Sequence, residues 1–377
     1  MGSFLLFGMS RYSIALLLYI FRFVCPQVQF FVPALAVADA LRDKGALVTF
    51  AGTAERTEAT LVPEAGYEID HLRVRGIDRS KPLQAVGAVS LAARAVPAAR
   101  RILQTREADA VLGGGGYVAA PVGIAAARLG LPLVITEADR HLGLTNRLLA
   151  RRARRVCLAF AIPGLEGERY LVTGRPVPRA IVEADRETAR RKFGLGDSER
   201  CLLVFGGSQG ALSINTAVLD GLLEPDPGFH VFHVTGTRDH EMVASRVSAA
   251  GAHERFTVLE YVKDLGDVLA ASDLVLARSG ASVFELAAAG RPAILVPYPY
   301  ATGHHQHANA EWMAGAGAAL IVEDADLDGE RVREMAGELI SDGERLRRMG
   351  EASAGLSMPD AAERVASEVL AAIGAEG

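Results

Sequence analysis

The residues best suited to chemistry lie in four short loops, each following an apolar run. Gly206-Gly207-Ser208-Gln209-Gly210 follows Cys201–Phe205. Glycines let backbone N–H groups approach an anion, and a following helix N-terminus adds partial positive charge. The loop therefore reads as a phosphate cradle or as a plain tight turn. No Gly-Lys-Ser/Thr follows it, so it is not a P-loop, and its spacing is not that of a dinucleotide fingerprint. The second loop, Arg278-Ser279-Gly280-Ala281-Ser282-Val283-Phe284-Glu285, follows Leu274–Ala277. Ser282 and Glu285 fit a helix capping box, and Glu285 equally suits a carboxylate gripping the paired hydroxyls of a ribose. The third, Tyr298–Asn309, carries His304, His305, Gln306, His307 and Asn309. Its histidines lack an acidic or Cys partner for a metal, whereas Gln and Asn offer paired donors and acceptors for sugar hydroxyls. The fourth, Gly113–Gly116 with Tyr117, permits close approach of a ligand or of another backbone. No Ser-His-Asp arrangement, HExxH or CxxC is present.

The elements that position these loops alternate. Apolar runs at Ser13–Leu16, Leu47–Phe50, Tyr67–Val74, Asp109–Leu112 and Leu133–Thr136 are separated by helical patterns at Ala34–Lys44, 82–105 and up to Arg128. The alternation restarts with Cys201–Phe205, His230–Val234, Thr257–Leu259, Leu274–Ala277 and Ala293–Pro297, and the tail from Asp328 is helical. Leu171 to Pro178 reads as a linker. The pattern predicts an α/β protein of two doubly wound Rossmann-like domains with a cleft between them, ligands binding at strand C-terminal ends.

The chain has 377 residues, half of them hydrophobic, with 39 Gly and only 3 Cys. That length suits about two domains, and the composition excludes a disordered chain, a collagen and a disulfide-stapled scaffold. Residues 1–180 carry 23 Lys and Arg against 14 Asp and Glu, and the remainder carries 17 against 31. A basic half suits an anionic surface, and an uneven solvated face is the plainer explanation. The basic helices lack the interleaved aromatics of nucleic-acid binders, so no nucleic acid is expected. Arg73, Arg75, Arg79 and Lys81 precede the apolar stretch Leu83–Val89, and Arg147, Arg151, Arg152, Arg154 and Arg155 form a second cluster. Near the start, Phe4 to Val24 is apolar but interrupted by Arg11 and Arg22. Its longest uncharged stretch, ten residues from Tyr12 to Phe21, falls short of the about 20 that a spanning helix needs. It reads as a buried first strand.

Together the motifs resemble those of the MurG family, glycosyltransferases that add N-acetylglucosamine to lipid I, an undecaprenyl-diphosphate-linked muramyl pentapeptide. The matching residues are Pro33 to Ala38, Gly113 to Tyr117 before Pro121, and Gly143-Leu144-Thr145-Asn146 after Glu137. They continue with Val172-Thr173-Gly174 before Pro176-Val177, Gly206–Gly210 with Asn215, and Arg278 to Ala281 with Glu285. Gly290 and Pro292 then lead to Leu295-Val296-Pro297, and His305-Gln306 stands before Asn309-Ala310.

The resemblance implies a B-type glycosyltransferase fold and inversion at the anomeric carbon with no metal or other cofactor. It implies an acceptor- and membrane-facing domain over 1–172, a donor domain over 173–355, and a helix in 356–377 that packs back towards the first domain. The partners implied are UDP-N-acetylglucosamine, lipid I and an anionic membrane surface, with a peripheral location on the cytoplasmic face of the cell membrane. Carried over by motif, Ser208 and Gln209 lie at the diphosphate, the backbone of Val262 reads uracil, and Glu285 binds the ribose beside Ala281 and Ser282. Gln306 and Asn309 hold the sugar, and Asp139, Asn146 and Arg179 complete the substrate-binding set.

Four departures stand out. The family's Gly-Gly-Thr-x-Gly-His loop is replaced by Cys25-Pro26-Gln27-Val28-Gln29-Phe30, so Phe30 stands where His is expected and the catalytic group is not assigned. The segment from Ser13 to Pro33 is about six residues longer than in the family pattern. Asp139 replaces an Asn, and Arg179 falls one place late. Two alternatives to lipid I transfer stay open: a related nucleotide-sugar transferase with another lipid or small-molecule acceptor, and a donor-binding protein with weak or no catalysis.

Overall fold

The computed structural model describes residues 13–17, 28–54, 58–74, 82–196, 198–207, 209–262, 265–301 and 305–374. They fall into two compact units, one built from β1 with Phe30–Pro176 and Asp360 onward, the other from Val177–Pro359. Short uncharged runs of Val, Leu, Ile and Ala form most strands, and helices covering both faces of a parallel sheet bury such runs on both sides.

In the first unit the strands are β1 (Ser13–Leu17), β2 (Leu47–Gly52), β3 (Glu68–His71), β4 (Ala110–Gly113), β5 (Leu133–Glu137), β6 (Arg155–Leu158) and β7 (Tyr170–Val172). They lie in the order β3-β2-β1-β4-β5-β6-β7, every pair parallel. Helices α1 (Val28–Asp43), α2 (Glu58–Glu64), α3 (Pro82–Thr105), α4 (Gly116–Leu129) and α5 (Leu144–Leu149) connect them. The strand order reverses between β1 and β4, the place where such sheets bind ligands.

The second unit opens with the short helices α6 (Arg179–Val182) and α7 (Arg186–Lys192). Its strands are β8 (Cys201–Phe205), β9 (His230–Val234), β10 (Phe256–Leu259), β11 (Leu274–Ala277), β12 (Ala293–Leu295) and β13 (Ala319–Ile321), in the order β10-β9-β8-β11-β12-β13. All pairs are again parallel. The helices are α8 (Leu212–Leu222), α9 (His240–Ala249), α10 (Leu265–Ala271), α11 (Val283–Ala288), α12 (His305–Gly315), α13 (Gly329–Ser341) and α14 (Gly343–Gly355). Here the order reverses between β8 and β11, so the 206–210 and 278–282 loops leave adjacent strands at one switch point.

The last helix, α15 (Ala361–Ala372), belongs to the first unit. Ala362, Val365, Ala366 and Val369 pack with Val37 and Leu41 of α1, Val48 of β2 and Val134 of β5. Arg155 Nε lies 2.7 Å from Glu368 Oε2 and fixes the helix across β6.

Four details differ from the sequence expectations. Strands β6, β7 and β13 did not register, because each has only three or four residues, and β6 starts within an Arg cluster. Leu171 and Val172 are therefore strand rather than linker. Helix α1 begins at Val28 and runs through Pro33, so Phe30 sits in a helix and not in a loop. The run Val28 to Val32 holds no breaker, and Pro33 forfeits only its own backbone bond. His305, Gln306, His307 and Asn309 likewise lie on α12, not in an extended loop.

Candidate active site

In the second unit the chain folds its loops onto one end of the sheet. After β8, Gly207 and Gly210 both take positive φ, and Gly210 N donates to Gly207 O at 2.9 Å. The turn is packed backbone to backbone against the loop after β9: a Cβ at Gly210 would lie 2.1 Å from the Thr235 carbonyl oxygen. Glycine is required there by this approach. Ser208 lies outside the described residues, and Gln209 is half-buried at the tip.

After β11, Ser282 precedes α11 but makes no cap bond; its hydroxyl donates to the Arg278 carbonyl at 3.4 Å. The capping box is thus not formed, because Ser282 is helical rather than extended and its hydroxyl points back along the chain. Glu285, on the first turn of α11, is half-buried, as is Ala281. Burial, with the Glu285 charge as a second cause, pushes the Tyr261 phenol up. Tyr261 thus lies within electrostatic reach of Glu285, with the half-buried Val262 next to Tyr261 in the chain.

Asn309 donates its side-chain amide to the Ser279 and Gly280 carbonyls at 3.1 and 3.2 Å. Gln306 accepts from the Tyr298 N–H at 2.9 Å. These two amides tie α12 to the loops after β11 and β12. His307 faces Glu323 at 3.5 Å. Among the described residues no three His, Cys, Asp or Glu side chains converge as metal ligands. Arg179 is exposed on α6 and faces Glu183 at 3.6 Å.

Arg278 was only a motif marker in the sequence, and the structure makes it a hub. Its guanidinium reaches Asp324, the Ser213 hydroxyl at 2.9 Å and the Val296 and Pro297 carbonyls, and stacks 5.4 Å from the Tyr298 ring. A buried Arg between two strand ends was the signal available for it.

The first unit holds a shallow pocket, partly open to solvent, at the ends of β4, β5 and β6. Pro33, Leu112, Cys157 and Pro176 give it apolar walls, and Glu137 and Arg175 are its charged members. Burial drives the Glu137 carboxyl up, opposed by its donors. Ala138 and Asp139 N–H donate to Oε1, and Gly143 N–H and the Asn146 amide donate to Oε2 at 2.8 and 2.9 Å. Four donors make this carboxylate an anchor for the 138–143 loop. Asn146 is itself buried beneath it, while Asp139 is half-buried in the loop so held.

The model of the glycosyltransferase family 28 N-terminal domain matches residues 31–158, and that of the C-terminal domain matches residues 201–365. The chain belongs to glycosyltransferase family 28. It is 40% identical over 347 residues to a Salinibacter ruber protein, covering 90% of this chain and 92% of that one. It is 42% identical over 346 residues to one from Acidithiobacillus ferrooxidans, covering 91% and 94%. Both relatives carry the name UDP-N-acetylglucosamine--N-acetylmuramyl-(pentapeptide) pyrophosphoryl-undecaprenol N-acetylglucosamine transferase. The crystal structure of Acinetobacter baumannii MurG superposes with a TM-score of 0.74 at 28% identity, covering 96% of this chain and 99% of that chain. A Neisseria meningitidis UDP-GlcNAc 2-epimerase, at 14% identity and a TM-score of 0.64, shares the fold. This family 28 chain therefore has the B-type glycosyltransferase architecture.

Proposed function

We propose that this family 28 enzyme transfers N-acetylglucosamine from UDP-N-acetylglucosamine to the C4 hydroxyl of lipid I, making lipid II for peptidoglycan. The names of its relatives support the substrates. The observation that carries the donor half is the switch point of the sheet, where the glycine turn and the 278–282 loop leave the adjacent strands β8 and β11 and the half-buried Glu285 opens the helix that follows. A half-buried carboxylate there accepts from both ribose hydroxyls, and the Val262 backbone offers the uracil its hydrogen-bonding edge. The glycine turn before α8 presents N–H groups to the diphosphate, to which Ser208 and Gln209 are assigned by motif. Gln306 and Asn309, held by their bonds to neighbouring loops, face the sugar beside Ala281 and Ser282.

In transfer, the acceptor C4 oxygen attacks C1 with inversion, the C1–oxygen bond to UDP breaks, and the acceptor proton leaves to a base or to water. The pocket at the end of the first sheet takes the acceptor, with Asp139 in the loop anchored by Glu137 and Asn146 fixing that anchor; Arg179, in the second unit, is assigned to substrate by motif alone. The lipid end of the acceptor needs a membrane. On α5, Leu144 and Leu148 are exposed beside the exposed Arg147, Arg151 and Arg152. Apolar side chains framed by arginines suit an anionic leaflet, so the enzyme docks peripherally, on the cytoplasmic side where the nucleotide donor is found.

Incubation with UDP-N-acetylglucosamine and lipid I tests the whole reading, and product analysis that finds no lipid II overturns it. The donor half is tested by calorimetry with UDP. Losing a charge-assisted bond weakens binding by roughly 10- to 150-fold, the loss expected for Glu285→Ala. Unchanged affinity removes the ribose assignment.

Phe30 favours a second reading, in which the donor is bound but transfer is slow. Phe30 cannot accept a proton, and it lies in α1 where the family resemblance places a His. Restoring Gly-Gly-Thr-Ala-Gly-His before Phe31, with six residues removed, then raises turnover by about 100- to 10,000-fold. Equal turnover of the two chains excludes this reading.

A further inference from the structure

We propose that His233 and Asn215 form a buried strut that holds the 207–210 turn in the shape a diphosphate needs, which makes His233 a positioning residue for the donor. This rests on the reading of that turn as the diphosphate cradle. Both side chains are fully buried. Asn215 lies on the first turns of α8, and its amide nitrogen donates to the Thr235 carbonyl and to Asp239 Oδ2, each at 3.0 Å. Both partners are acceptors, so the amide orientation is fixed and Oδ1 turns to His233 Nε2, 3.0 Å away. Nε2 must therefore carry the hydrogen.

His233 Nδ1 is buried with no hydrogen-bond partner. A proton there has nothing to receive it, and burial pushes the imidazole down to about 3. His233 thus works as a neutral donor of fixed tautomer. The strut runs from β9 through Asn215 to two groups that back the turn. One is the Thr235 carbonyl, against which Gly210 folds; the other is Asp239 Oδ2, 3.2 Å from the Cβ position at Gly210. Arg238 Nε grips the second Asp239 oxygen at 2.9 Å, so the carboxylate is held from both sides. Without His233, Asn215 Oδ1 is left buried with no donor, and the amide loses the bond that braces its hold on the two backing groups. Val262 and Glu285, assigned to uridine, belong to other loops, and the Thr235 and Gly236 N–H groups bond to Leu259 and Glu260 ahead of Val262, so the diphosphate feels the change most and uridine least.

The test pairs UDP with uridine. In the unmodified enzyme, ¹⁵N-labelled histidine gives one ring signal that is absent from His233→Gln. That signal shows a neutral ring with hydrogen on Nε2 from pH 5 to 8; hydrogen on Nδ1, or a doubly protonated ring, overturns the strut. His233→Leu weakens UDP binding by about 10- to 100-fold and uridine binding by less than about threefold, the loss of one bond plus a buried unpaired acceptor. His233→Gln places an amide donor where the imidazole N–H stood and keeps UDP affinity within about threefold. Equal losses for UDP and uridine, no loss in His233→Leu, or no recovery in His233→Gln each overturn the proposal. If His233→Leu does not fold, the ring signal and the Gln variant decide by the same limits. If the unmodified enzyme binds uridine but not UDP, the diphosphate cradle fails and the strut with it, whereas binding of neither removes the donor reading as a whole.

Discussion

Arg278 Nη1 lies 2.6 Å from Asp324 Oδ1, and the Ser213 hydroxyl closes the triangle by donating to that same oxygen at 2.7 Å. Arg278 follows β11, Ser213 stands near the start of α8, and Asp324 follows β13. The pair therefore couples the two loops at the switch point to the edge of the sheet. Arg278 is almost buried, so its charge needs this partner.

Asp324→Ala is expected to cost about 1.5–3 kcal/mol of stability, the usual worth of a hydrogen bond to a charged group. It also weakens UDP binding, because the Arg278–Ser213 bond between the 278–282 loop and α8 loses the carboxylate that holds both partners. Urea unfolding and calorimetry on the same variant check both. Stability unchanged within about 0.5 kcal/mol would show that the guanidinium is satisfied by the Val296 and Pro297 carbonyls alone.

Glu137 makes a prediction with a sign. Its folded-state pKa is raised, chiefly by burial. The folded chain then binds the proton more tightly than the unfolded chain, so the contribution of this group is greatest at low pH. It declines as pH rises from the ordinary carboxylate value, roughly 4.3, towards the raised folded value. Glu137→Gln removes the titration and turns an NH₂ towards two N–H donors, at a cost of about 1–3 kcal/mol. Melting both proteins across pH 5–8 should give a stability gap that narrows with rising pH. A gap that widens contradicts the assignment.

Why were some of these relationships legible in the sequence and others not? Ser13–Leu17, Cys201–Phe205 and Leu274–Ala277 are uninterrupted apolar runs, and a buried parallel strand needs nothing more. The glycine turn and Glu285 sit directly after such runs, so their placement followed from the strands. Tyr170–Val172 and Ala319–Ile321 are three-residue edge strands, too short for any period to emerge. Arg278, Glu137 and His233 act through partners 46, 9 and 18 residues away in sequence. Such pairings exist only once the sheet has assembled.

A second charged knot lies at the start of β11, at the edge opposite the loops. Asp273 Oδ1 accepts from Arg186 at 2.8 Å and Arg200 at 2.9 Å, and Oδ2 accepts from the Cys201 N–H at 2.9 Å, with Arg190 3.6 Å away. Burial and the nearby Arg186 push the Arg291 guanidinium down to about 10. Several guanidiniums thus depend on one buried carboxylate. Asp273→Asn should destabilise by about 1–3 kcal/mol, because it leaves the buried Arg190 without its charge partner while Arg186 and Arg200, 39% and 46% exposed, keep contact with water. Denaturant midpoints measure the loss, and raising the salt should recover part of it by screening. A loss below about 1 kcal/mol would mean that the Ala270, Ala271 and Ser272 carbonyls, which also accept from Arg186 and Arg190, suffice.

The proposed membrane surface separates into an apolar part on α5 and an electrostatic part in the arginines on and just after it. Leu144 and Leu148 are 57% and 48% exposed, while Leu149 of the same turn is fully buried. Each exposed leucine that enters a bilayer interface contributes on the order of 1.5–3 kcal/mol if fully buried there. Each arginine beside an anionic surface contributes on the order of 1 kcal/mol, screened by salt. Leu144→Ser with Leu148→Ser should therefore reduce co-sedimentation with anionic vesicles at every salt concentration. Arg151→Gln with Arg152→Gln should reduce it mainly at low salt and leave the weaker binding to neutral vesicles unchanged. Equal binding of the unmodified enzyme to neutral and anionic vesicles would reject the electrostatic part. A leucine pair that changes nothing would move the docking surface off α5.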